Sequence, residues 1–172
     1  MSVSLILIPA AIAAVTAISA TGVGGILSLG GRAEAEDSSE SEVGDAARPV
    51  AVQTRMKDPD LLGDALRDVG ALNVSVTDAG ISAELEDITI AMTRTPDGIW
   101  AAHLERVDGH ELAASEATAL VQRLDAAYAL RVQQAVAERI RSRADTAGFE
   151  LVSETRDEDD TVTMVLNVKD YA

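Results

Sequence analysis

From Ser2 to Gly31 the chain carries no charged side chain. The run Val3-Ser-Leu-Ile-Leu-Ile-Pro-Ala-Ala-Ile-Ala-Ala-Val-Thr-Ala-Ile-Ser-Ala-Thr21 is almost wholly apolar and thins into a glycine-rich end, Gly22 to Gly31. A membrane-crossing helix needs about 20 mostly apolar residues, because the hydrocarbon core is about 30 Å thick and a helix rises about 1.5 Å per residue. Residues 1–31 therefore read as an apolar, transmembrane-type helix that anchors the chain. A cleaved signal peptide fits less well: no Lys or Arg precedes Arg32, and the apolar run exceeds a usual signal core. A buried core helix is the bland alternative. Ala10, Ala13, Ala17, Ala20 and Gly24 recur at spacings of three and four, which gives one helical face on which a second helix can pack closely. Arg32, Arg48, Arg55 and Lys57 all follow the run. Basic residues stay on the cytoplasmic side, so the expected topology is single-pass with a cytoplasmic C-terminal domain.

Residues 32–49 read as an acidic linker. Six acids fall between Ala33 and Asp45 with hardly an apolar side chain among them, so the segment cannot bury enough surface to offset its ordering entropy.

Residues 50–172 then carry the periodicities of an α+β domain. Val50 to Met56 alternates like a strand. Asp58-Pro59 is a helix start, Leu61, Leu62, Ala65, Leu66 and Val69 recur at helical spacing, and Gly70 is the stop. Leu72 to Val76 alternates again. From Ile81 the apolar set is Ile81, Ala83, Leu85, and after Glu86-Asp87 it shifts parity to Ile88, Ile90, Met92. A shift of one in a period-two pattern requires a bulge, a bend or a strand break. Thr95-Pro-Asp-Gly98 is a turn, and Trp100, Ala102 and Leu104 share a face of the returning strand. No Pro or Gly interrupts 111–147, where Leu120, Val121, Leu124, Tyr128, Val132, Ala135, Val136 and Ile140 fall along one face. That is one long amphipathic helix, or two joined by a kink. Phe149 to Thr155 and Thr161 to Val168 read as a closing hairpin. The expected order is β-α-β-β-β-α-β-β: a mainly antiparallel sheet with helices on one face.

Charge and composition narrow the function. A net charge of −15 repels phosphates, which argues against nucleic acid as a partner. Cysteine is absent, so thiolate chemistry and disulfides are excluded. The aromatics number only Trp100, Tyr128, Phe149 and Tyr171. No metal-protease, phosphate-loop or nucleophile-elbow motif occurs. His103 and His110 read as polar surface residues. Asp157-Glu-Asp-Asp160 lacks the alternating ligands and central Gly of a calcium loop. The clustered acids Glu84, Glu86 and Asp87 read as edge protection. The reading assigns no catalytic, cofactor-binding or metal residue.

The run Val52-Gln-Thr-Arg-Met-Lys-Asp-Pro-Asp-Leu-Leu-Gly-Asp-Ala-Leu-Arg-Asp-Val-Gly70 carries Lys57-Asp58 and Ala65-Leu66-Arg67-Asp68-Val69-Gly70. With Tyr128-Ala129 and Gly148-Phe149, it resembles the plastid and cyanobacterial family called hypothetical chloroplast open reading frame thirty-five, over residues 51–168. Members of that family lack the apolar head and acidic linker, and their second helix is shorter. The resemblance implies an α+β domain on the cytoplasmic or stromal side, sometimes found alongside AAA-type ATPases. It brings no catalytic residue. The functional expectation is a membrane-tethered accessory or protein-interaction module, an adaptor to an AAA-type ATPase in the sense the resemblance implies. The exposed stretch of the long helix at Arg131, Arg139 and Arg143 is its expected partner surface. The alternatives are a structural subunit that self-associates into a homo-oligomer through its apolar helix, and a small ligand-binding or enzymatic domain.

Overall fold

The computed structural model of the chain describes residues 2–8, 17–18 and 49–169. In order the elements are β1 (Ser2–Leu7), β2 (Ala17–Ile18), β3 (Val50–Gln53), α1 (Pro59–Asp68), β4 (Leu72–Val76), β5 (Ile81–Leu85), β6 (Ile88–Arg94), β7 (Trp100–Arg106), α2 (Ala114–Ala144), β8 (Phe149–Arg156) and β9 (Val162–Val168). Every strand pair is antiparallel, so the class is α+β.

Local chemistry sets the first half. Asp58 caps α1 by accepting from the N–H groups of Asp60 and Leu61 at 3.0 and 3.1 Å, which satisfies two of the donors a helix start leaves unpaired. Gly70 at φ 92° lets the chain leave the helix, and Ala71 N–H closes back on the Leu66 carbonyl at 2.9 Å. Leu62, Ala65 and Leu66 are fully buried against the larger sheet, whose order is β2-β3-β7-β6-β5-β4. Trp100 anchors this core and donates its indole N–H to the Lys57 carbonyl at 3.2 Å, so burying the large ring leaves no polar atom unpaired.

The parity shift at Glu86-Asp87 resolves as a strand break. Leu85 pairs directly with Ile88, and Glu86 takes φ 57° in a two-residue hairpin. The domain thus has one strand more than the expected order. The hairpin puts Ile81, Ala83 and Leu85 on the same face as Met92, Ile90 and Ile88, and all six are buried.

The expectation of one sheet is corrected to two. α2 is a single 31-residue helix, roughly 46 Å long at 1.5 Å per residue. Its first half, with Leu120, Val121 and Leu124, packs into the large core. Its second half extends past that sheet, and the β8–β9 hairpin folds back on it there. Ala137 meets Val162 and Met164 in a second core, with Leu7, Ile140 and Leu151 against it. The second sheet has the order β1-β9-β8.

Its third strand comes from the apolar head, where a helix was expected. Ser2–Leu7 pairs residue for residue with β9, from Ser2 opposite Asn167 to Leu7 opposite Val162. Ala17–Ile18 pairs with Val52 and Ala51 of β3. The physical reason is competition for backbone bonds: β9 and β3 offer open ladder positions, and Val3, Leu5 and Leu7 present one apolar face at the strand period. Among the described residues no helix is long and apolar enough to cross a membrane.

Candidate functional site

An open groove of about 480 Å³ lies where α2 crosses from one sheet to the other. Six residues of α2 line it: Asp125, Tyr128, Ala129, Val132, Gln133 and Val136. Their spacing of three, one, three, one and three keeps them on one helical face. The end of β1 and the residue after it supply Ile6, Leu7 and Ile8, and the stretch after β3 supplies Arg55. The stripe Tyr128, Val132, Val136 belongs to the apolar face expected to be core. It is only partly covered, and Val136 is 42% exposed. Ile6 and Ile8, which also line the groove, are 63% and 69% exposed.

The polar groups of the groove are held in place. Arg55 pairs with Asp125 at 3.1 Å. The Tyr128 hydroxyl accepts the N–H groups of Lys57 and Asp58 at 3.2 and 3.0 Å, which ties α2 to the start of α1. Gln133, 4% exposed, donates its amide to the carbonyls of Leu7 at 2.8 Å and Asp160 at 2.6 Å. One side chain thereby joins α2, β1 and the β8–β9 turn. Its Oε1 has no donor, since the two carbonyls fix which end of the amide faces them.

The expected site residues lie elsewhere than in this groove. Ala10, Ala13, Ala20 and Gly24, expected as a helix-packing face, lie outside the described residues, and Ala17 is in β2. Arg131, expected as partner surface, is bonded to Asp68 of α1 at 2.6 Å by both Nε and Nη2. That pair raises the Arg131 pKa and lowers that of Asp68, the hydrogen bond being the main cause in each. Arg139 and Arg143 are exposed on α2. His103 Nε2 lies 3.1 Å from the Thr93 hydroxyl on the sheet surface. The Asp108 carboxylate accepts the His110 backbone N–H at 3.0 Å. Glu84 accepts from Asn73 at 2.8 Å, Asp87 pairs with Arg106, and Glu86 lies 3.7 Å from Arg123. Asp157 and Asp160 close the last hairpin, where Asp160 pairs with Arg156 at 3.2 Å. Among the described residues no three acids or histidines cluster as a metal site.

The groove is not legible in the sequence. Its one signal was Gln133, an amide set beside Val132 and Val136 on an otherwise apolar face. No protein-family model, curated protein or solved structure matches the chain.

Proposed function

We propose that the protein is an accessory protein-interaction module whose groove at the middle of α2 receives apolar side chains of a partner. The groove itself carries this reading. Its volume falls in the range of binding clefts, and three of its lining residues, Ile6, Ile8 and Val136, are exposed, apolar surface of the kind that marks an interaction site. Apart from the Gln133 Oε1, its polar groups are committed to one another or to backbone: Asp125 to Arg55, Tyr128 to two N–H groups, the Gln133 amide nitrogen to two carbonyls. That arrangement suits recognition more than proton transfer. The family resemblance supports an AAA-type ATPase as the first partner to try. The test is parallel affinity capture on the full chain and on Val136→Asp, with folding checked by circular dichroism. A reproducible partner lost on the variant supports the proposal. A partner held equally by both, or none at all, overturns it.

The uncharged run 2–31 favours a second reading, in which the head also anchors the module to a membrane with the domain on the cytoplasmic side. Residues 2–7 cannot both pair with β9 and cross a bilayer, so the two states exclude each other. Carbonate washing of native membranes decides this. Retention in the pellet supports the anchor, and release to the supernatant defeats it.

A further inference from the structure

Sheet edges expose unpaired N–H and C=O groups, and proteins guard them with bulges, charges or short strands. Of the four edge strands among the described residues, three are guarded. β8 has a register shift between Leu151 and Ser153 and carries Glu150, Glu154 and Arg156. β4 has a register shift between Leu72 and Ser75, with Asn73 at φ 52°. β2 is two residues long. β1 is the exception. It is six residues long, pairs in unbroken register with β9 and holds no charge.

We propose that the edge of β1, which no other described strand pairs with, pairs with β1 of a second copy of this chain, antiparallel about a two-fold axis, to make a continuous six-stranded sheet β8-β9-β1-β1-β9-β8. Three observations select a second copy as the occupant. The first is charge. Two chains of net charge −15 repel across most of their surfaces, and the β1 edge lets them meet without apposing like charges. The second is parity. A two-fold axis normal to the sheet keeps each face on its own side, so only residues of like parity pair. Centred on Leu5, the register sets Leu5 opposite Leu5 and Val3 opposite Leu7. These residues share the face of Val162, Met164 and Leu166, which packs on α2. The third is incomplete burial on that face. Val3 is 45% and Leu5 37% exposed in a single chain, and the pairing covers both. A two-fold contact of this kind is self-complementary and closes at two copies.

The β1 edge shares Ile6 and Leu7 with the groove, so Ser4, which does not line it, is the residue to alter. Light scattering over a dilution series should give twice the 18.0 kDa chain mass for the parent. Ser4→Lys brings like charges together across the axis and should weaken the dimer about tenfold or more, with an unchanged circular dichroism spectrum. Val3→Lys is the second variant should the first fail to fold. The chain has no cysteine, so Leu5→Cys should form a disulfide-linked dimer on mild oxidation, while Val152→Cys on the guarded β8 edge should not. A monomer at every concentration, a dimer indifferent to both lysines, or equal cross-linking at Leu5 and Val152 overturns the proposal.

Discussion

Arg131 reaches from α2 to α1 and holds Asp68 through two bonds, Nε and Nη2 each 2.6 Å from a different carboxylate oxygen. A bidentate fork of this kind fixes direction as well as distance. Here it ties α2 to α1.

That pairing predicts an acid dependence. The Arg131 hydrogen bond holds the Asp68 pKa below the usual carboxylate range, and Arg141 does the same for Glu154. A group with a depressed folded pKa contributes stability that is full above its unfolded pKa and is lost as pH falls through the folded value. Asp68→Asn should therefore lower the urea midpoint at about pH 7 and cost progressively less as the pH falls through the acid range. A cost that persists unchanged in acid would assign the effect to packing instead.

Gly63 lies in the middle of α1, where alanine is ordinarily better by about 1 kcal/mol. A Cβ built there would come within 2.7 Å of Val76 Cγ2 on β4. The valine is stiff at χ1 and cannot swing away cheaply. Overpacking of this kind costs about 1–3 kcal/mol. Gly63→Ala should thus destabilise despite its propensity, and adding Val76→Ala should restore part of the loss. A stabilised single variant, read by thermal or urea unfolding, would refute the contact.

Gln133 ties the two halves of the molecule together. Gln133→Ala leaves the carbonyls of Leu7 and Asp160 without their donor, at about 1–3 kcal/mol for buried groups. The loss should be local. Amide exchange in β1 and β9 should speed up while α1 and β5 to β7 keep their protection, because those elements belong to the other core. Uniform acceleration would mean that the two cores unfold as one.

Salt should stabilise the fold. With 29 acidic and 14 basic residues, self-repulsion among exposed carboxylates opposes compaction, and added salt screens it within about 10 Å at 0.1 M. The same salt weakens the surface ion pairs, but these contribute little singly. The net effect expected is a rising melting temperature with sodium chloride. A falling one would show that the pairs dominate.

The sequence was most legible where short-range chemistry decides structure. The Asp58-Pro59 start and Gly70 stop of α1, the turn at Thr95 to Gly98, and the alternating faces of β5 to β7 follow from caps, backbone freedom and the strand period. The parity shift at Glu86-Asp87 located the hairpin but left its form open, since a bulge and a strand break shift the face equally. The groove was illegible for a related reason. Tyr128, Val132 and Val136 share a helical face with Leu124 and Ile140, and periodicity records that a face is apolar, not what covers it.

The uncharged head is where the two levels part. By itself the sequence determined the antiparallel α+β class, the length and apolar stripe of α2, and the absence of charge from Ser2 to Gly31. An uncharged run satisfies its backbone either within itself as a helix or against a neighbour as a strand, and composition does not distinguish the two. Only the tertiary structure made that decision at Ser2–Leu7, because β9 lies alongside with an open ladder edge and a matching apolar face. It also decided that the sheet is two sheets. A 31-residue helix outruns the first sheet, and the distance it covers sets the second core apart and leaves the groove between them.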